Sequence, residues 1–471
     1  MGKNLSRKIK NCWLEPDICK REEVFDFCSE YIDFLSECKT ERECVEYMQE
    51  LALENGFIPL DTFVKEGRKP SRGDKILVNH RDKALIMFVI GEESIEKGIN
   101  LVGSHLDTPR MDLKPSPLYE DQGIALFKTH YYGGIKKYQW TAIPLALHGV
   151  VIKRNGEKLE IVIGEDPGDT VFTITDLLPH LAKEQMEKKA SEVIAGEGLN
   201  LIVGTIPREY DSDGKNIKGS KDMVLELLKN RYGLEEEDFI SAELTAVPAG
   251  RAADVGLDSS LVGGYGQDDR VCAFVSFKAI MDIKDPQKTC AAVFADKEEV
   301  GSMGNTGMQS TFFENAVAEL IDLTTGDCGY LKLRRALSNS KALSADVAAA
   351  VDPNYSDTHD KENAPRLGSG VCIEKYTGHR GKSGGSDANA EYMAMVRQVF
   401  NQADIVWQSG ELGKVDLGGG GTIAQFLANY GMDVLDCGVP VLNMHSPFEL
   451  ASKADIYMAY RAYVAFYRDM K

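Results

Sequence analysis

Short apolar runs that stop abruptly at histidine or acid set the first limit on this chain. Ile99-Asn100-Leu101-Val102-Gly103 leads into Ser104-His105-Leu106-Asp107-Thr108-Pro109. Ala291-Ala292-Val293-Phe294-Ala295 leads into Asp296-Lys297-Glu298-Glu299-Val300-Gly301-Ser302. Runs this short and this apolar read as buried strands of an α/β sheet. Polar residues just past such strands lie at the carboxyl edge of the sheet, where that architecture places its sites.

The rest of the chain is punctuated to match. Residues 22–54 read as two helices, with Thr40 and Glu43 as a capping box for the second and Gly56 past its end. Residues 75–78 and 84–90 add strands. From about 114 to 254 the character is β-rich. Residues 150–163 form a hairpin with Asn155-Gly156 as its turn, and residues 208–221 are a polar exposed loop. The α/β rhythm then returns. Helices are expected over 271–283, 312–321 (leading into a further strand), 388–402, 423–429 and 457–470, with strands over 290–295 and 434–437. The expected organisation is a first part of a catalytic domain (1–113), an inserted β-rich domain (114–254) and the second part of the catalytic domain (255–471).

Charge and cysteine usage exclude some classes. Lys plus Arg is 54 against 73 Asp plus Glu, a net charge of −19. Nucleic acid is therefore not an expected partner, because phosphate binding needs clustered cations. No apolar stretch approaches the roughly 18 residues of a membrane span. The ten cysteines include no C-x-x-C pair and there is no secretory signal, which fits a reducing cytoplasm. Met1-Gly2-Lys3-Asn4-Leu5-Ser6 formally fits a myristoylation pattern but reads as a solvated leader.

Five segments offer metal chemistry. In His105-Leu106-Asp107 one ring nitrogen can bind a metal while the aspartate takes a hydrogen bond from the other, fixing the tautomer. In Glu298-Glu299 one carboxylate can ligate while its neighbour serves as general base, the two pKa values being pushed apart. Gly264-Tyr265-Gly266-Gln267-Asp268-Asp269-Arg270 puts a carboxylate in a glycine turn, where it can bridge two metals about 3.5–4 Å apart. Ser344-Ala345-Asp346-Val347 adds a carboxylate among small residues. Met444-His445-Ser446 adds a second imidazole, one of only eight histidines, each of which is therefore worth weighing. Singly, these are equally a loop histidine, a solvated acidic loop and helix caps. Together they supply His, Asp, Glu, Asp and His, a donor set that suits zinc, with manganese or cobalt as alternatives.

The order and wording of these segments resemble the aspartyl aminopeptidase family of two-zinc peptidases. The matching phrases are Gly103-Ser104-His105-Leu106-Asp107-Thr108-Pro109-Arg110, Gln267-Asp268-Asp269, Glu298-Glu299-Val300-Gly301-Ser302, Ser344-Ala345-Asp346-Val347 with Pro353-Asn354-Tyr355, and Met444-His445-Ser446. The resemblance spans roughly residues 20–470. It implies a mixed-sheet α/β/α metallopeptidase domain with an inserted β-rich dimerisation domain. It also implies two divalent metals per subunit: His105 and Asp346 on one, Glu299 and His445 on the other, Asp268 between them. Asp107 would orient His105, and Glu298 would activate the water. Family members look like homododecamers built from dimers, with a histidine of the inserted domain reaching a neighbouring active site. His180, in Leu178-Pro179-His180, is the candidate for that role, and an even match is a helix-start residue on a polar face. Lys375 matches a family lysine near the substrate's acidic side chain, but Tyr376-Thr377-Gly378-His379-Arg380 departs from the family pattern, so both acidic and neutral N-terminal residues stay open.

The expected activity is release of N-terminal residues from peptides. Its rivals are a clan-related carboxypeptidase or N-acyl amino acid hydrolase, and a self-assembling scaffold without catalysis. Gly381-Lys382-Ser383 ends like a P-loop, but Tyr376 stands where the first glycine is required. Gly418-Gly419-Gly420-Gly421 is no dinucleotide fingerprint and is read as a loop whose backbone must approach the site closely before the 422–429 helix.

Overall fold

The structure, a computed structural model, describes residues 6–208 and 219–471. The leader pattern, apart from Ser6, and the core of the 208–221 loop lie outside the described residues. The fold is mixed α/β. The chain divides into two compact units. One comprises Met1–Asp107, Ala252–Met444 and Phe448–Lys471, the other Thr108–Arg251 with His445–Pro447.

Among the described residues of the first unit, nine strands form one sheet. Their order is Ile58–Pro59, Lys75–His80, Ala84–Val89, Cys290–Ala295, Asn100–His105, Lys341–Ser344, Asp433–Gly438, Val371–Glu374 and Trp407–Ser409. The four strands from Cys290–Ala295 to Asp433–Gly438 are parallel to one another. The pleat then sorts side chains into two cores. Leu85, Met87 and Val89 go to one face, and Ala84, Ile86 and Phe88 to the other. Helices Arg21–Glu37, Glu41–Glu54, Gln267–Met281, Ala390–Gln402 and Lys453–Asp469 pack on the first face. Helices Leu60–Glu66, Phe312–Thr325, Tyr330–Ser338 and Ala424–Ala428 pack on the second. Each fully buried Leu, Ile or Phe contributes roughly 1.5–3 kcal/mol, and the Gln267–Met281 helix is buried almost all round.

A smaller five-stranded sheet in the same unit runs Ala253–Val255, Leu261–Gly264, Glu449–Ser452, Pro440–Leu442, Ala348–Ala349. It matters because two of its strands border the Asp268 turn and Asp346. The Thr40–Glu43 capping box forms as read, the Thr40 amide donating to Glu43 Oε2 at 2.8 Å and the Glu43 amide to Thr40 Oγ1 at 3.3 Å.

Among the described residues of the second unit, six strands form an antiparallel sheet in the order Lys158–Ile163, Leu145–Ile152, Ala242–Pro248, Arg110–Asp121, Ile124–Tyr132, Asn200–Gly204. The hairpin over 150–163 is present, but its turn differs from the reading. The Gly156 amide bonds the Lys153 carbonyl at 2.8 Å, and Gly156 alone adopts a positive φ, +85°. That is a three-residue loop closing on a left-handed glycine, because Asn155 keeps a negative φ.

Two further departures concern helices. Phe312–Thr325 is followed by a second helix, Tyr330–Ser338, before the strand Lys341–Ser344. Leu333, Ala336 and Leu337 recur there at helical spacing and pack on the second core, so its period is present in the sequence but confined to nine residues. The last helix starts at Lys453, earlier than residue 457. All ten cysteines are free thiols and nine are buried, behaving as small apolar residues. Among the described residues no helix is long and apolar enough to cross a membrane.

Candidate metal centre

Parallel register brings the candidate ligand loops to one edge. Ala295 pairs with His105, and Ser344 with Gly103. The Leu106 amide donates to the Ala295 carbonyl at 2.8 Å, and the Ala345 amide to the Gly103 carbonyl at 2.6 Å. The strands therefore release His105, Glu298-Glu299 and Asp346 side by side. Gly438 is needed beside them, since a Cβ there would collide with the Asp346 carbonyl.

Asp268 arrives from the smaller sheet. Leu261–Gly264 ends at Gly266, which takes φ +78°, and the chain turns into the Gln267–Met281 helix. The Asp268–Asp269 peptide is cis. Gln267 Nε2 donates to the Val262 carbonyl at 3.0 Å and to the Glu449 carbonyl at 2.7 Å. The Asp268 amide donates to Glu449 Oε2 at 3.2 Å.

His105 is the hub. Its Nδ1 lies 2.9 Å from the Asp107 carbonyl and 3.3 Å from Asp107 Oδ1. Its Nε2 faces three carboxylates: Asp268 Oδ1 at 3.2 Å, Asp346 Oδ1 at 3.8 Å and Glu298 Oε2 at 3.9 Å. Asp107, fully buried, also accepts the Glu298 amide on Oδ1 at 3.0 Å and the Glu299 amide on Oδ2 at 3.2 Å. One side chain thus orients the histidine and holds the turn that carries both glutamates. That turn is flanked by left-handed residues, Lys297 at φ +68° and Gly301 at φ +90°. Lys297 is an uncommon place for that conformation, and such strain concentrates at functional sites.

Among the described residues three donor groups could hold a metal: His105 with Asp268 and Glu299, His105 with Glu298 and Asp346, and Asp268 with Asp269 and Asp346. His445, His180 and Lys375 are not among them. His445 belongs to the second unit, at φ +64°, with Nδ1 2.9 Å from the Gly134 carbonyl. His180, in the same unit, is exposed in a turn. Lys375 pairs with Asp387 at 2.9 Å, and Lys382 binds the same carboxylate at 3.0 Å. The glycine run packs by its backbone on a neighbouring loop and not on the candidate metal residues: a Cβ on Gly419 would strike Gly378 and His379.

Burial works to lower the His105 pKa, but the carboxylates of Asp107, Asp268 and Asp346 overrule it and raise it well above the ordinary value. Burial first, then neighbouring acids, pushes Asp269 and Asp346 well up. A buried imidazole and several acids converging this closely hold protons that a divalent cation would displace. Imidazole nitrogen with carboxylate oxygen suits zinc, so the residues fit the metal.

Asp269, Arg270 and Glu449 received no role from the sequence. Asp269 Oδ2 accepts the His105 amide at 3.2 Å. The signal that could have found it is the argument made for Glu298-Glu299: two adjacent acids past a strand point in different directions. Glu449 carries no such signal, because its role depends on a backbone 181 residues away.

Comparison with known proteins agrees with this chemistry. Residues 34–467 match the profile of the family described as Aminopeptidase I zinc metalloprotease (M18). A probable M18 family aminopeptidase 1 of Clostridium acetobutylicum is 51% identical over 466 residues, 99% of each chain. A crystal structure of an M18 family aminopeptidase from Thermotoga maritima superposes with a TM-score of 0.93 at 46% identity, covering 99% of this chain and 100% of that one. The S. cerevisiae mApe1 dodecamer shares the fold, with a TM-score of 0.72 at 21% identity over 94% of this chain and 96% of that one.

Proposed function

The chain belongs to the M18 family of zinc metallo-aminopeptidases, and from that premise we propose that it releases single N-terminal residues from peptides at a centre of two divalent metals. His105 and Asp346 would hold one metal, Glu299 and His445 the other, with Asp268 between them. The observation that carries this reading is His105 Nε2 facing the carboxylates of Asp268, Asp346 and Glu298 within 3.9 Å. The assignment of His445 rests on the resemblance of Met444-His445-Ser446 alone. When bound, the metals supply Lewis acidity to the scissile carbonyl and to water.

The chain's own residues do the rest. Glu298 takes a proton from the attacking water and returns it to the leaving amine. Asp107 keeps the His105 ring oriented through Nδ1 and holds the Glu298 amide in place. Lys375 and Lys382 share the single carboxylate of Asp387, leaving a net positive charge that favours acidic N-terminal residues over neutral ones. His180 would reach a neighbouring subunit's site in a homododecamer built from dimers through residues 114–254. The dodecamer reading is supported by the yeast relative. The expected setting is the cytoplasm.

The test is metal stripping with a chelator and add-back of zinc, manganese or cobalt, read on free and N-acetylated peptides. Two metals per chain by elemental analysis, with cleavage of free peptides only, supports the reading. Equal cleavage of acetylated peptides would favour the N-acyl hydrolase, and no cleavage with full metal content would favour the scaffold.

A further inference from the structure

Arg270 is buried with its entire side chain, 0% exposed, among the largest such residues in the chain. A buried guanidinium is expensive unless its donors are taken up. No carboxylate of the described residues is among its hydrogen-bond partners. Instead Nε donates to the Leu106 carbonyl at 3.4 Å and Nη2 to the Lys39 carbonyl at 2.7 Å, with the guanidinium 5.4 Å from the centre of the Tyr265 ring.

Those partners are informative. The Leu106 carbonyl lies between His105 and Asp107. Asp269, the residue before Arg270, accepts the amide of His105 itself. Two consecutive residues of the Asp268 turn therefore grip two consecutive residues of the His105 loop. The other arm of the guanidinium reaches the corner between helices Arg21–Glu37 and Glu41–Glu54, where Glu43 Oε2 takes the Lys39 amide at 2.8 Å and the Thr40 amide at 2.8 Å. The corner is thus held rigid by its own cap, and Arg270 transmits that rigidity inward.

We propose that Arg270 is a positioning residue for the metal centre, fixing the distance between the His105-Leu106-Asp107 loop and the Asp268 ligand by bonding the Leu106 and Lys39 carbonyls at once. This rests on the metallopeptidase reading above. Lysine keeps the charge but offers one compact ammonium in place of a planar fork, so it cannot span both carbonyls.

The experiment measures the zinc dissociation constant of the full-length chain by competition with a chromogenic chelator, beside thermal unfolding and kinetics. Arg270→Lys is expected to weaken zinc binding of the folded protein by roughly 10–100-fold. Added zinc restores kcat to near the wild-type value, with KM unchanged. A purely structural role would lower the unfolding midpoint and leave the zinc constant alone, and that result overturns the proposal. If Arg270→Lys does not fold, Glu43→Ala, which removes the oxygen that takes the Lys39 and Thr40 amides, decides. It loosens the corner while leaving Arg270 in place and should weaken zinc about threefold, and an unchanged constant overturns the proposal. Failure of the wild-type chain to bind zinc would instead count against the metallopeptidase reading itself.

Discussion

Glu298 and Asp268 lie within 4 Å of the same imidazole nitrogen, yet their surroundings give them different tasks. Of the three carboxylates facing His105 Nε2, Glu298 is the most exposed, its side chain at 17% against 12% for Asp346 and 6% for Asp268. It is the one that can meet water and substrate. Glu298→Gln preserves shape and removes the basic oxygen. Turnover should fall by about 10²–10⁴-fold, the usual worth of a positioned base, while zinc content by elemental analysis stays at the wild-type level. A variant retaining most of its activity would remove Glu298 from the base role. Asp268→Asn should do the opposite and lose metal, because an amide is a poorer bridge than a carboxylate. Full metal content in that variant would count against Asp268 as the bridge. The residues that chemistry would choose are legible in the sequence for a simple reason: His105 ends a strand and Glu298, Glu299 and Asp346 lie within four residues of one, so local pattern alone puts them at the sheet's edge. Asp269, Arg270 and Glu449 support the site through backbone groups distant in sequence, and no local pattern encodes which carbonyl a buried arginine will meet.

At the scale of elements, legibility followed burial. Cys290–Ala295 is readable to the residue because all six positions are buried, whereas Tyr330–Ser338 has a helical period of only nine residues, too short to stand apart from the loop before the next strand. The helix Lys453–Asp469 shows how elements are tied where pattern is silent. Asp455, in its first turn, accepts the amides of Gly368 and Gly370, both at 2.7 Å, bolting the helix start to the approach of strand Val371–Glu374. Burial raises the Asp455 pKa to about 8, against the opposing pull of those two amides. The unfolded value is about 3.9. A raised folded value means the folded state holds the proton more tightly. Its contribution to stability is therefore full below about pH 4 and is lost as pH rises toward about 8, at up to ~1.4 kcal/mol per pH unit. Asp455→Asn should flatten the fall in stability between pH 5 and pH 7.5, measured by urea unfolding at each pH. Glu374, raised to about 8 by burial and then by Asp436 and Glu411, keeps part of the slope. An unchanged slope in the variant would show that Asp455 does not titrate in this range.

For the molecule as a whole, the sequence reading put its boundaries at 113/114 and 254/255, while the compact units divide at 107/108 and 251/252. The strand Arg110–Asp121 explains the first offset: it pairs wholly within the six-stranded sheet, and its apolar residues carry no mark of which sheet will take them. The assignment of His445–Pro447 to the second unit is a property of folded contacts and has no counterpart in composition. The proposed ligands His105, Asp268, Glu299 and Asp346 come from both of the segments that flank Thr108–Arg251 in the chain, so metal binding has to act on the first unit's stability. A ligand that binds only the native state adds RT ln(1 + [L]/Kd), about 4 kcal/mol at a thousandfold excess over Kd. Chelation should lower the unfolding midpoint, and zinc should raise it with the logarithm of its concentration. Because Asp269 and Asp346 hold protons well above the ordinary carboxylate range in the absence of metal, zinc binding releases protons, and the gain should be larger at pH 8 than at pH 6. Differential scanning calorimetry across zinc concentrations at the two pH values measures both effects. A midpoint indifferent to zinc would mean that these carboxylates do not close on a metal, and a gain equal at the two pH values would mean that they are already ionised without one.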